Sequence, residues 1–142
     1  MSKESVIDTS TEFGERAARR LREEQVVWLT TVTRKGAPLP GPVGFLWDGA
    51  DSVLVYSQDS WRIRNISANP RVTLNFDGDG QGGNIVILSG EARVDAGAPS
   101  ASENPAYVAK YGAGMAMFGG PEAFAARFKV PVRIELTGLR GR

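Results

Sequence analysis

The sequence predicts a mainly-β fold with peripheral α-helices. Three observations point there. Short β-branched and aromatic runs recur along most of the chain, bounded by Gly, Pro and Asp-Gly turn signals. No strand–helix–strand unit repeats, so a parallel doubly wound sheet is not indicated. Helical patterning is limited to one N-terminal segment, a short stretch before Asn69-Pro70 and an insert before the last strand. Antiparallel strands with helices at the periphery describe a barrel or sandwich, expected here as one domain over 1–142.

The elements follow in order. Thr9-Ser10-Thr11-Glu12 reads as a capping box with Thr9 as N-cap. Phe13, Ala17 and Leu21 recur at spacings of four, which predicts a helix over about 10–24 with one apolar face. Arg16, Arg19, Arg20, Arg22, Glu23 and Glu24 read as its solvated outer face. Val26 to Thr33 is a strand, and Arg34-Lys35-Gly36-Ala37 is a turn. Pro38, Pro40 and Pro42 predict an extended, irregular stretch before a second strand at Val43–Trp47. Asp48-Gly49 is a hairpin signal leading to a third strand, Ser52–Ser57. Asp59 or Ser60 caps a short helix that ends before Asn69-Pro70. Val72–Phe76 is a fourth strand, and a glycine-rich loop fills 77–83. A long fifth strand covers Ile85–Val94, with a bend expected at Gly90. Pro105 and Pro121 sit where helices begin, giving a helical insert over about 105–128. Val132–Leu136 is the sixth strand.

Composition removes whole classes of chemistry. The chain has no cysteine and no histidine. Disulfides, thiolate nucleophiles, Ser-His triads and Cys- or His-ligated metals are therefore excluded. A net charge of +1, from 17 basic and 16 acidic side chains, argues against a general nucleic-acid binder. No apolar run reaches the length of a membrane span, and the first residues lead into no apolar secretion signal. No membrane association is expected, and the cytoplasm is the default compartment. Chemistry must come from a cofactor, from carboxylates or from hydroxyls.

Two motifs fail on context. Gly78-x-Gly80-x-x-Gly83 matches a dinucleotide fingerprint by letters, but a strand rather than a helix follows it. Asp77-x-Asp79 opens like a calcium loop, yet position twelve is Leu88 instead of a glutamate. No metal site is expected. Tyr107 and Tyr111 lie one helical turn apart. They are candidate proton donors, weighed against simple anchoring of their helix to the sheet.

The informative segment is Tyr56-Ser57-Gln58-Asp59-Ser60-Trp61-Arg62-Ile63-Arg64-Asn65, running to Asn69-Pro70. A strand ends, a capping residue follows, and a helix begins. Free backbone N–H groups at a helix start favour an anion. Arg62 and Arg64 add bidentate donors, and Ser57 and Ser60 add hydroxyls. The pattern is that of a phosphate clamp, weighed against a surface helix with solvated arginines.

This segment resembles the phosphate-binding strand-to-helix region of the split-barrel superfamily that contains pyridoxamine-phosphate oxidase. Pro42-Val43-Gly44-Phe45-Leu46-Trp47 is similar to the family's strand whose backbone lines an isoalloxazine ring. The hairpin from Leu29 to Pro38 resembles the family's opening strand pair. The resemblance implies a six-stranded antiparallel split β-barrel. It places Ser60 and Arg62 at the cofactor phosphate, with Tyr56, Ser57, Arg64 and Asn65 around it and Pro42–Phe45 along the ring. Trp61 stands where pyridoxamine-phosphate oxidases carry a basic residue, which argues against that reaction here.

The short chain and the helix preceding the barrel resemble the actinobacterial deazaflavin-using branch. That likeness implies coenzyme F-420, with Arg34, Lys35, Arg62, Arg64 and Arg71 as positive charge for its phosphate and anionic tail. FMN is the alternative cofactor, and a non-enzymatic cofactor carrier is the alternative role. The implied reaction is hydride transfer to a small-molecule substrate, with the proton drawn from solvent, Tyr107 or Tyr111. The family arrangement further implies a homodimer with the cofactor at the subunit interface, where Asn84 and Val86 reach the ring from the partner. Uncovered apolar side chains are expected to drive that pairing, with Trp28, Phe45, Trp47, Ile85 and Ile87 as candidates.

Overall fold

The computed structural model describes residues 5–142, so the reading of residues 1–4 as free of a secretion signal lies outside the described residues. Helix α1 spans Glu12–Glu23. Its cap is Thr11, not Thr9. The Thr11 hydroxyl accepts from Gly14 N–H at 2.9 Å, and the Thr11 N–H is turned back onto the Asp8 carbonyl. That turn delays the helix by two residues and hands the capping position to the later threonine. Ala17, Ala18 and Leu21 are buried against the sheet.

The face read as solvated is only partly so. Arg16 and Arg20 fold back onto the glycine-rich loop, at Asp77 and Asn84, and onto the last residue of the chain. Arg16 donates to Asn84 Oδ1 at 2.9 Å, and Arg20 donates to the carbonyls of Asn84 and Asp77 at 3.0 and 2.7 Å while pairing with Glu24.

Seven antiparallel strands form one sheet: β1 Val27–Val32, β2 Pro38–Val43, β3 Leu46–Trp47, β4 Ser52–Ser57, β5 Arg71–Asn75, β6 Val86–Val94 and β7 Val130–Gly141, in the order β2-β1-β5-β6-β7-β4-β3. The count exceeds the expected six because the proline-rich stretch is itself a strand. Pro38, Pro40 and Pro42 face Val32, Thr30 and Trp28 of β1, all at one parity. A strand on the edge needs only one row of donors, and Leu39, Gly41 and Val43 can supply it.

β2 and β3 are the two edges of the sheet, yet only Gly44 and Phe45 separate them in sequence. Three Cα steps span at most about 11 Å. The sheet must therefore curl until its edges nearly meet, which makes the half-open barrel. The irregularity expected at Gly90 is present. Ser89 pairs with Gly138 and Gly90 with Leu136, so Thr137 of β7 is the extra residue of a bulge. β7 is far longer than expected because its second half, polar and glycine-containing, pairs with the start of β6.

The barrel is filled by side chains including Leu21, Leu29, Phe45, Leu74, Leu88 and Ile134. Helix α2, Trp61–Ala68, packs at one end of it. Helices α3, Pro105–Met115, and α4, Pro121–Arg127, build a second cluster with Tyr56, Tyr107 and Met115 outside the sheet. Both carry proline in the first turn, as the sequence indicates. No helix among the described residues is long and apolar enough to cross a membrane.

Candidate functional site

A cavity of about 590 Å³ opens where the ends of β2 and β4 meet the start of α2, with α3 and α4 across its far side. Pro42, Val43 and Gly44 line it from the end of β2, and Tyr56 and Ser57 from the end of β4. Ser60, Trp61 and Arg62 line it from the start of α2, and Tyr107 and Tyr111 from α3. Residues spread over the chain from 42 to 111 thus share one concavity, because the curl of the sheet brings its two edges beside the α2 N-terminus.

Arg62 dominates its electrostatics. The guanidinium lies over the Trp61 ring, 4.9 Å from its centroid. Its Nε is buried and has no hydrogen-bond partner. Among the described residues no carboxylate pairs with it within 4.0 Å. Burial pulls its pKa below the usual arginine value, but an arginine stays charged at any ordinary pH. A half-buried cation with an orphaned donor is the arrangement an incoming anion relieves. Ser60 is the N-cap of α2 but makes no side-chain cap bond, which leaves its hydroxyl available beside that cation. The Ser57 hydroxyl donates to the Gln58 carbonyl at 2.8 Å.

The tyrosines divide sharply. Tyr56 donates to the Pro99 carbonyl at 2.7 Å and accepts from Asn104 Nδ2 at 3.1 Å. The Tyr111 hydroxyl accepts from Phe45 N–H at 2.8 Å and lies 2.8 and 3.0 Å from the carbonyls of Gln25 and Phe45, which share its one proton. Burial pushes its pKa up to about 12. Tyr107 is only 2% exposed, and its ring centroid lies 4.7 Å from those of both Tyr56 and Tyr111. Burial and the neighbouring phenols hold its proton well above the usual tyrosine range.

Other expected residues stand elsewhere. The Phe45 side chain fills the barrel core; only its backbone reaches the site, through Tyr111 and Lys110. Arg64 is exposed and shares a separate cleft with Arg34. Asn65 is buried and donates to Thr31 Oγ1 at 3.0 Å, so it ties α2 to β1. Asn84, at φ 54°, is held by Arg16 and Arg20. Val86 is fully buried in its own barrel, so its side chain cannot reach a partner's ring; strand alternation turns Ile85 and Ile87 outward instead.

Sequence reasoning missed Gln25, Val26, Gln58, Phe124 and Phe128 as lining residues. The one signal was the spacing of four between Phe124 and Phe128, which stacks their rings at 4.5 Å but does not say what they face. It also missed Lys110, whose ammonium donates to the Phe45 carbonyl at 2.8 Å and which burial pushes down to about 8.

A family model described as pyridoxamine 5'-phosphate oxidase matches residues 13–135. The chain belongs to the pyridoxamine 5'-phosphate oxidase family. Its curled antiparallel sheet is the split barrel of that family. Solved structures of similar fold come from several proteins. An F-420 reductase aligns with TM-score 0.63 and 22% identity over 87% of this chain and 95% of its own. An FAD-binding protein from Mesorhizobium loti gives 0.65 and 19% over 88% and 90%. A heme binding protein from Mycobacterium smegmatis gives 0.65 and 20% over 93% of this chain and 56% of its own. At these identities the likeness is one of fold. No curated protein matches the sequence significantly. The proteins of similar fold named here are described by different cofactors, so the choice rests on the residues in the cavity.

Proposed function

We propose that this chain is an oxidoreductase that binds coenzyme F-420 and passes a hydride from its reduced form to a small organic acceptor. The observation that carries the reading is Arg62: a cation in the cavity wall with a buried, unpartnered Nε. A cofactor phosphate answers both its charge and its free donor, and Ser60 adds a hydroxyl. The segment from Pro42 to Gly44 lines the cavity where a ring would lie. When bound, the cofactor supplies the hydride; the chain binds it, orients it and excludes water.

The preference for the deazaflavin rests on charge beyond the phosphate. Arg34 and Arg64 line a separate cleft on the other side of α2, Arg64 standing two residues after Arg62, and an anionic tail would extend round the helix start toward it. Arg71 lies in a different cleft and drops out of that set. FMN, whose phosphate is terminal and carries no tail, is the alternative, as is cofactor binding without turnover. We further propose a homodimer with the cofactor between subunits.

Titration with coenzyme F-420 and FMN in parallel, at low and high salt, tests the reading. F-420 is expected to bind more tightly, and to weaken with salt because its tail is exposed. A preference for FMN at every salt concentration transfers the reading to FMN, and binding of neither overturns it.

A further inference from the structure

The cavity has two chemically distinct ends. Arg62 and Ser60 form the charged end. The other is walled by Phe124 and Phe128, stacked at 4.5 Å, with Tyr107 6.1 Å from Phe124. No acid or second cation lines the cavity. Tyr107 is the one tyrosine of the three whose hydroxyl has no hydrogen-bond partner among the described residues, since those of Tyr56 and Tyr111 are both engaged. Its hydroxyl reaches the cavity wall beside Gly44, where a Cβ would stand 3.2 Å from it. The absence of a side chain at Gly44 keeps that approach open.

We infer that the aromatic end is the substrate subsite, that it takes an uncharged, flat organic molecule carrying an accepting oxygen, and that Tyr107 orients this molecule by donating its O–H to that oxygen. The Tyr107 hydroxyl has no partner among the described residues and opens on the cavity, so its O–H is free to be taken by a substrate oxygen. Burial keeps the phenol protonated, so it acts as a donor and never as a base. A charged substrate would find no counter-ion among Phe124, Phe128 and Tyr107. The assignment rests on the proposed function only in leaving Arg62 to the cofactor phosphate.

The test uses the purified chain and two probes matched in shape, 9-fluorenone and fluorene, which differ in one carbonyl oxygen. Wild type is expected to bind fluorenone roughly two- to ten-fold more tightly than fluorene, the worth of one neutral hydrogen bond. Tyr107→Phe should abolish that preference and leave fluorene binding and the melting temperature unchanged, because the hydroxyl bonds nothing within the chain. Phe124→Ala should weaken both probes together. Equal affinity of wild type for the two probes, a preference that survives Tyr107→Phe, or no binding of either probe overturns the inference. None of these outcomes depends on which cofactor binds at Arg62, so the two readings fail separately.

Discussion

Gly41 and Arg62 are fitted to one another: a Cβ on Gly41 would stand 2.7 Å from Arg62 Nη2. Gly41 lies in the edge strand β2 and has no positive φ, so its backbone tolerates alanine. Gly41→Ala should therefore keep the fold but push the guanidinium aside. Cofactor affinity is expected to drop about three- to ten-fold, less than on loss of Arg62 itself. Calorimetric titration beside a thermal melt checks this, and unchanged affinity would mean that the position of Arg62 is immaterial.

Tyr111 pins α3 to the junction between β2 and β3 through Phe45, and to the segment between α1 and β1 through Gln25. Tyr111→Phe strands the Phe45 N–H and should cost about 1–3 kcal/mol of stability. Tyr107→Phe strands nothing. Urea unfolding of the pair should rank Tyr111→Phe clearly below Tyr107→Phe; the reverse order would contradict the division of roles between the two phenols.

Stability should depend on pH through Lys110. Its pKa is about 8 in the fold against an ordinary 10.5. Below 8 both states are protonated, and the cost of burying the charge is present in full. Between 8 and 10.5 the unfolded chain holds a proton that the fold has released, so stability rises with pH. Tyr107 and Tyr111 act oppositely: their folded pKa values lie above the ordinary 10.0, so stability falls as pH rises past that value. The melting temperature should climb from pH 8 toward 10 and then decline, and Lys110→Met should flatten the climb. A wild-type curve that falls throughout this range would refute the burial assignment.

The proposed dimer is testable by light scattering at micromolar concentration. Trp28, 37% exposed, shares an outward cleft with Pro40, Ile85 and Ile87, apolar surface that a second copy would cover. The expected mass is twice the 15.3 kDa of one chain. A mass of one chain would remove the dimer and its shared site. Phe45 takes no part, being buried in its own barrel, and Trp47 is half-buried with its indole N–H donated to Ala50.

Much of the fold was legible because the cues are local. Alternating β-branched runs, Asp48-Gly49, Pro105 and Pro121 each act within a few residues. β2 was read as irregular because tolerance of three prolines depends on which sheet edge they occupy, a tertiary fact. The half of the site on Tyr56 to Arg62 was legible because a strand end and a helix start lie in one contiguous segment. Lys110 was not, since its partner Phe45 lies 65 residues away, nor were Phe124 and Phe128, whose spacing of four says that they pair and not which part of the chain they face. The burial of Val86 could have been read: Ile85 and Ile87 share one strand face, which commits Val86 to the other.

The central claim is that Arg62 holds a cofactor phosphate, and it is tested most directly by ligands that differ only in that group. FMN against riboflavin, and the deazaflavin 5'-phosphate against the deazaflavin alcohol, should be titrated into wild type and Arg62→Met. Wild type should prefer the phosphorylated member of at least one pair by roughly ten- to a hundred-fold, the worth of a charged hydrogen bond. In Arg62→Met that preference should collapse toward unity while the melting temperature holds or rises, because an unsatisfied buried donor has been removed. A phosphate preference that persists in Arg62→Met would contradict the account.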